Sequence, residues 1–159
     1  DGKTPNPEEA LDTGIDINLR IPALIPDDFL PDVHSRLMMY KRISAADSDE
    51  ALRELQVEMI DRFGLLPEPC KNLFKVASIK LRAQTLGIKK LEAGSNSGKM
   101  EFGAVTQVDP LTIVKMVQTK PQHYRLEGAS ALKFDIEMDS PQARIDNVVN
   151  LLESLAQSA

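Results

Sequence analysis

Apolar residues recur along this chain with two periods, and the switch between them lays out the elements. From Asp47 to Gly64 (DSDEALRELQVEMIDRFG) the period is helical. At about 100° per residue, Leu52, Leu55, Met59, Ile60 and Phe63 fall on one side of such a helix. Glu50, Glu54, Glu58 and Asp61 fall on the opposite side, with Val57 at the edge of that acidic stripe. Asp47 offers an N-cap, and Glu50 three residues later completes a capping box. Gly64 supplies the stop, with Pro67 beyond it. The pattern predicts one helix with a face to bury and a face that stays wet or meets something basic.

Residues 1–14 (DGKTPNPEEALDTG) contain two prolines, two glycines and little that can pack, and read as a linker or tail. Ile15, Ile17, Leu19 and Ile21 alternate with polar residues, a strand signal. Pro22, Pro26 and Pro31 make the next stretch extended and irregular. A helix follows from about Pro31 to Ser44, with Pro31 in its first turn and Val33, Leu37, Met38, Tyr40 and Ser44 giving the period. After the 47–64 helix, Leu65–Pro69 is a proline-marked turn. A third helix runs from about Glu68 to Leu86 and stops at Gly87. Cys70, Leu73, Phe74, Val76, Ala77, Ile79 and Leu81 give it nearly two apolar faces, so it should be the most buried of the three.

The period changes at Ile88. Ile88–Ala93 and Lys99–Ala104 flank GSNSG and predict a hairpin. Asp109-Pro110 starts a helix to about Thr119, with Leu111, Val114 and Val117 inward. A second hairpin pairs His123–Glu127 with Ala131–Met138 around Gly128. Leu132, Phe134, Ile136 and Met138 share one face of it, and Lys133, Asp135 and Glu137 the other. Ser140-Pro141 caps a last helix to about Gln157, with Ile145, Val148, Val149, Leu152 and Leu155 on its apolar stripe. The fold class this predicts is α+β. An antiparallel sheet of two hairpins packs with about five helices, three of them consecutive, in a single domain over 15–159.

Composition narrows the function. The net charge is −5, without the clustered Lys and Arg that a nucleic-acid surface needs, so DNA or RNA is disfavoured as a direct ligand. The single cysteine, Cys70, excludes a disulfide within the chain and fits a reducing compartment. No apolar run reaches the roughly 20 residues of a membrane helix, and no signal peptide opens the chain. A start at Asp1 fits an excised or processed piece. Candidate chemistry is thin. His34 and His123 lie in different elements, and no metal spacing, P-loop, G-x-G-x-x-G or G-x-S-x-G is present. Asp27 and Asp28 with His34 read as a loop and helix start rather than a metal site. Asp135 and Glu137 read as a solvated sheet face rather than an acid–base pair. Lys75, Lys80 and Arg82 form a modest basic edge. The residues alone describe a non-catalytic α+β module, with no metal and no cofactor, whose unusual surface is the acidic stripe. A nucleic-acid-binding module, a small enzyme and a dimerisation domain stay open as alternatives.

IPALIPDDFLPDVHSRLMMYKRIS (21–44) resembles the opening of the C-terminal domain of the bacterial transcription-repair coupling factor family. ELQVEMIDRFGLLPEPCKNLFKVASIKLRAQTLGIKKLE (54–92) is similar to its continuation, including Asp-Arg-Phe-Gly at 61–64 and Leu-Pro-Glu at 66–68, at matching spacing. The resemblance covers roughly residues 10–155. It implies a parent that is a cytoplasmic ATP-dependent DNA translocase, which removes stalled RNA polymerase and recruits the repair protein UvrA. ATP and Mg²⁺ would belong to the motor domains, and polymerase and DNA would be reached only through the parent. This domain, monomeric and without membrane contact, would dock on the N-terminal UvrB-like module. There it would mask the UvrA-binding surface and restrain the motor, with residues 1–14 as tether. A masked UvrA-binding surface should be basic and the acidic stripe its complement. Glu58 and Asp61 would be central to that contact, with Glu54, Val57 and Glu50 beside them.

Overall fold

A computed structural model describes residues 15–156; the linker or tether expected over 1–14 lies outside the described residues. The element order is β1 (Asp16–Asn18), α1 (Val33–Ala45), α2 (Asp49–Phe63), α3 (Glu68–Leu86), β2 (Ile88–Ala93), β3 (Gly98–Phe102), α4 (Pro110–Thr119), β4 (Tyr124–Glu127), β5 (Ala131–Phe134) and α5 (Pro141–Ala156). The class is α+β, as the patterning predicts. The two hairpins join into one sheet through antiparallel β3–β5 pairing, in the order β1-β2-β3-β5-β4. The short β1 adds to β2 in parallel, so one edge of the otherwise antiparallel sheet is mixed. The three intervening helices are the long crossover that a parallel pair requires. The described residues form two compact units, 22–78 and 15–21 with 79–156, and the division falls inside α3.

In the first unit the helix starts follow their caps. The Asp32 carboxylate accepts from the Ser35 N–H at 2.9 Å, so α1 begins at Val33 and Pro31 lies before its first turn. Ser48, not Asp47, caps α2: its hydroxyl accepts from the Ala51 N–H at 3.1 Å. Asp49 and Glu50 then occupy the first turn, where the helix dipole favours acids. Gly64 ends α2 with φ +102°, and its N–H donates to the Ile60 carbonyl at 2.9 Å. Leu52, Leu55 and Met59 are buried as expected, but Ile60 is 38% exposed. On α1 the buried residues are Met39 and Ile43, while Val33, Leu37 and Met38 face outward. Tyr40 is only half-buried, and its hydroxyl accepts from the Ile25 N–H at 2.8 Å. The proline-rich stretch is fastened to α3 by the buried Asn72, which donates to the Pro22 carbonyl at 3.0 Å.

In the second unit, β2 carries a bulge at Lys89, since Ile88 faces Phe102 while Lys90 faces Glu101. The extra residue switches parity, so Ile88, Leu91 and Ala93 are all buried. Met100, Leu132 and Phe134 extend this apolar face, and Val148, Leu152 and Leu155 of α5 are buried too. The other face is a lattice of charges: Lys90–Glu92 at 3.1 Å, Lys99–Glu127 at 2.8 Å and Lys133–Glu127 at 3.5 Å. β5 ends at Phe134, short of the expected Met138. Beyond it, the Ile136 and Met138 N–H groups donate to the carbonyls of Asn96 and Ser95 in the β2–β3 turn. Asp109 caps α4, accepting from the Leu111 N–H at 3.0 Å, and Ser140 caps α5. Leu111 is 74% exposed and Val114 also faces outward; Ile113 is the buried residue of α4.

Candidate functional site

The acidic stripe lies on α2 as the helical period requires. Glu50, Glu54, Val57 and Asp61 follow at spacings of four, three and four, and all are exposed; Val57 is 58% accessible, an apolar side chain among acids. Glu58 differs. The Arg42 guanidinium, from the last turn of α1, donates through Nη1 and Nη2 to the two Glu58 carboxylate oxygens at 2.5 and 2.7 Å. Arg62, one turn along α2, adds a third donor at 3.3 Å and sits over the Phe63 ring at 4.8 Å. The hydrogen bonds from Arg42 come first among the causes that pull the Glu58 carboxyl from 4.5 down to about 2. The same contact raises Arg42 above its ordinary value. A carboxylate has about four lone-pair directions, and three are taken here. Glu50, Glu54 and Asp61 form no ion pair among the described residues.

The stripe is therefore three open acids plus one that clamps α1 to α2. Beside the clamp, Ala45, Ala46 and Ala51 leave a shallow concavity of about 430 Å³, with Asp47, Glu54, Glu58 and Arg42 around it. Arg42 is the residue that sequence reasoning missed. Its sequence signal is a basic residue in the last turn of one helix and a very short turn before the next, which leave the two side chains within reach.

The clamp has a pH signature. The folded Glu58 value is depressed, so its contribution to stability is present above about pH 4.5 and is lost as pH falls toward about 2. Thermal melts followed by circular dichroism should show the melting temperature falling across that window. Glu58→Gln should remove that part of the slope, and identical slopes for both proteins would contradict the clamp.

The other sequence candidates stay apart. Asp27, Asp28 and His34 are all exposed, and among the described residues no group of three or more His, Cys, Asp or Glu is arranged to hold a metal ion. Asp135 and Glu137 are exposed beyond the end of β5 rather than on a strand face. Cys70 is buried and its thiol is pushed up to about 11, which keeps it protonated at neutral pH. No helix among the described residues is long and apolar enough to cross a membrane.

Similar proteins carry a family description and named relatives. A family model described as the TRCF domain matches residues 19–113. The transcription-repair-coupling factor of Escherichia coli (strain K12) is 41% identical over 158 residues, covering 99% of this chain and 14% of that protein. That of Haemophilus influenzae is 42% identical over 156 residues, covering 98% and 14%. A crystal structure of the C-terminal domain of transcription-repair coupling factor matches the fold with a TM-score of 0.75 at 24% identity, over 90% of this chain and 92% of that one. The chain thus spans about one seventh of the length of these curated relatives.

Proposed function

This chain belongs to the transcription-repair-coupling factor family, and from that premise we propose that it is a non-catalytic docking domain that restrains its parent. In this reading the parent is an ATP-dependent DNA translocase that clears stalled RNA polymerase. The domain clasps the parent's UvrB-like N-terminal module and covers the surface that UvrA uses. The observation that carries the reading is the exposed α2 face, with Glu50, Glu54 and Asp61 open around Val57. An apolar centre with a charged rim is the usual anatomy of a reversible interface. The acids select a basic partner and repel an acidic one.

Within the stripe, Glu54 and Asp61 make the direct ion pairs. Glu58 contributes indirectly, because Arg42 and Arg62 already occupy most of its acceptor capacity. It fixes α1 against α2 and so keeps the face rigid.

Close interfacial charge pairs couple by roughly 1.5–7 kcal/mol, against about 0–1 for exposed pairs. Reversing two of them is therefore enough to open a clasp biased by a few kcal/mol. In the intact parent, Glu54→Lys with Asp61→Lys should raise UvrA affinity by about tenfold or more, and should raise ATP hydrolysis in the absence of polymerase. A folded double variant with unchanged UvrA affinity and ATPase would overturn the assignment of this face.

A further inference from the structure

We propose that the concavity at the β2–β3 turn is a phosphate-binding site, formed by Arg20, Lys99, Lys133 and the backbone N–H groups of Ser95–Ser97. It is remote in sequence from the α2 face and independent of the docking reading. Four observations converge on it.

The first is shape and charge. A concavity of about 340 Å³ is lined by Arg20, Lys99 and Lys133, by the Gly94–Gly98 turn, and by a single carboxylate, Glu92. That is three cations to one acid, on a chain of net charge −5. Glu92 is occupied by Lys90 at 3.1 Å, and the two lysines share one acid, Glu127, at 2.8 and 3.5 Å. Arg20 forms no ion pair among the described residues.

The second is the turn itself. Its carbonyls are used: Ser95 accepts from Met138 at 2.6 Å, Asn96 from Ile136 at 3.2 Å, and Ser97 from Gly94 at 2.8 Å. The N–H groups of Ser95, Asn96 and Ser97 donate to no described backbone or side-chain acceptor. In a planar trans peptide the N–H points opposite to the preceding carbonyl. Because the Ser95 and Asn96 carbonyls face the 136–138 segment, the N–H groups of Asn96 and Ser97 face away from it. Two successive unpaired N–H groups on one side of a turn are donors that an anion can use.

The third is strain. Arg20 has φ +54°, and it alone among the described non-glycine residues is positive. A left-handed backbone in a long side chain persists only where its surroundings hold it, and such residues gather at binding sites. Here the Asn18 side chain accepts the Arg20 N–H at 3.0 Å, and the Arg20 carbonyl accepts from Arg144 at 3.1 Å.

The fourth is that Arg144 ties the two walls together. It is 7% exposed and also donates to the Leu19 and Met138 carbonyls, each at 3.0 Å. Met138 is the residue whose N–H holds the Ser95 carbonyl. One buried guanidinium thus sets Arg20 in register with the turn.

A planar guanidinium fork, two ammonium groups and a run of N–H donors exceed what the two oxygens of a carboxylate can accept; a tetrahedral phosphate accepts from all three sides. The phosphate belongs either to a small molecule or to the backbone of a nucleic-acid strand, and the experiment separates these.

The ¹⁵N-labelled 159-residue chain is titrated at constant ionic strength with inorganic phosphate, and separately with a short single-stranded DNA, while the amides of Ser95–Ser97 are followed. Saturable shifts that chloride does not reproduce are expected. Arg20→Gly, which keeps the positive φ without penalty, and Lys133→Ala should each weaken the affinity about tenfold. Shifts with phosphate mean a small-molecule phosphate suffices. Shifts with DNA alone, at a slope falling with salt, assign the strand backbone. No saturable shift with either, or shifts untouched by both substitutions, overturns the site.

Discussion

Replacing Arg144 with methionine should cost about 2–4 kcal/mol of folding stability, seen as a lower urea midpoint at an unchanged slope. The reason is the company Arg144 keeps. Its Nη1 donates to the Leu19 and Arg20 carbonyls and its Nη2 to the Met138 carbonyl, at 3.0, 3.1 and 3.0 Å. Its Nε has no partner among the described residues. Two effects oppose each other on substitution. Methionine removes the cost of burying a guanidinium that has no carboxylate beside it. It also leaves three carbonyls without this donor, those of Leu19 and Met138 in buried bonds and that of Arg20 in a part-buried one, at about 1–3 kcal/mol for each one that water cannot reach. Where a buried ion pair is replaced whole by apolar side chains, the first effect often wins. Here the acceptors are main chain and cannot be replaced, so the second wins. Arg144→Lys should also destabilise, because one ammonium cannot reproduce the planar fork. A loss under about 0.5 kcal/mol for Arg144→Met would mean that water replaces the guanidinium.

Gly87→Ala should cost about 2–5 kcal/mol, and more than Gly64→Ala. Both glycines stop helices with positive φ, +75° at Gly87 and +102° at Gly64. A Cβ on Gly64 would meet nothing within 4 Å, so only the backbone penalty applies there. A Cβ on Gly87 would lie 2.4 Å from the Val105 carbonyl oxygen and 2.7 Å from Thr106 Cα. Both are main-chain atoms, so no rotamer change relieves the overlap. The surrounding bonds resist a shift as well. Gly103 donates to the Gly87 carbonyl at 2.7 Å, and Gln107 and Thr106 both donate to the Leu86 carbonyl, at 3.0 and 2.8 Å. Equal losses in the two alanine variants, read from chemical denaturation, would show that the β3–α4 connection is softer than this packing implies.

What the sequence makes legible follows from how local each signal is. Gly87, Asp109 and Ser140 mark their helix ends because a cap or a stop acts within three residues. The α2 start slips by one because Asp47 and Ser48 are both competent caps, and the hydroxyl of Ser48 is the one that reaches the Ala51 N–H. The α1 face is misread because Val33 and Leu37 have the right spacing but Met39 and Ile43 meet the core. Leu111 fails in the same way on α4. Joining β3 to β5, and β1 to β2 in parallel, depends on contacts between distant segments that no local pattern encodes. At the site, the stripe on α2 is legible because its acids share one helix. The Arg42–Glu58 clamp is less so, since its partners are 16 residues apart. Arg144 breaks the rule that arginine stays outside, because what it meets is backbone carbonyls, which carry no letter in the sequence.

The proposed clasp sets the α2 face on the parent's UvrB-like module, in competition with UvrA. It is tested most directly by adding this chain in trans to that separately expressed module and measuring binding with and without UvrA. Saturable binding that UvrA displaces is expected, weakened about tenfold or more by Glu54→Lys with Asp61→Lys and unaffected by Arg20→Gly. Binding that the double reversal leaves unchanged, or that UvrA does not displace, would contradict it.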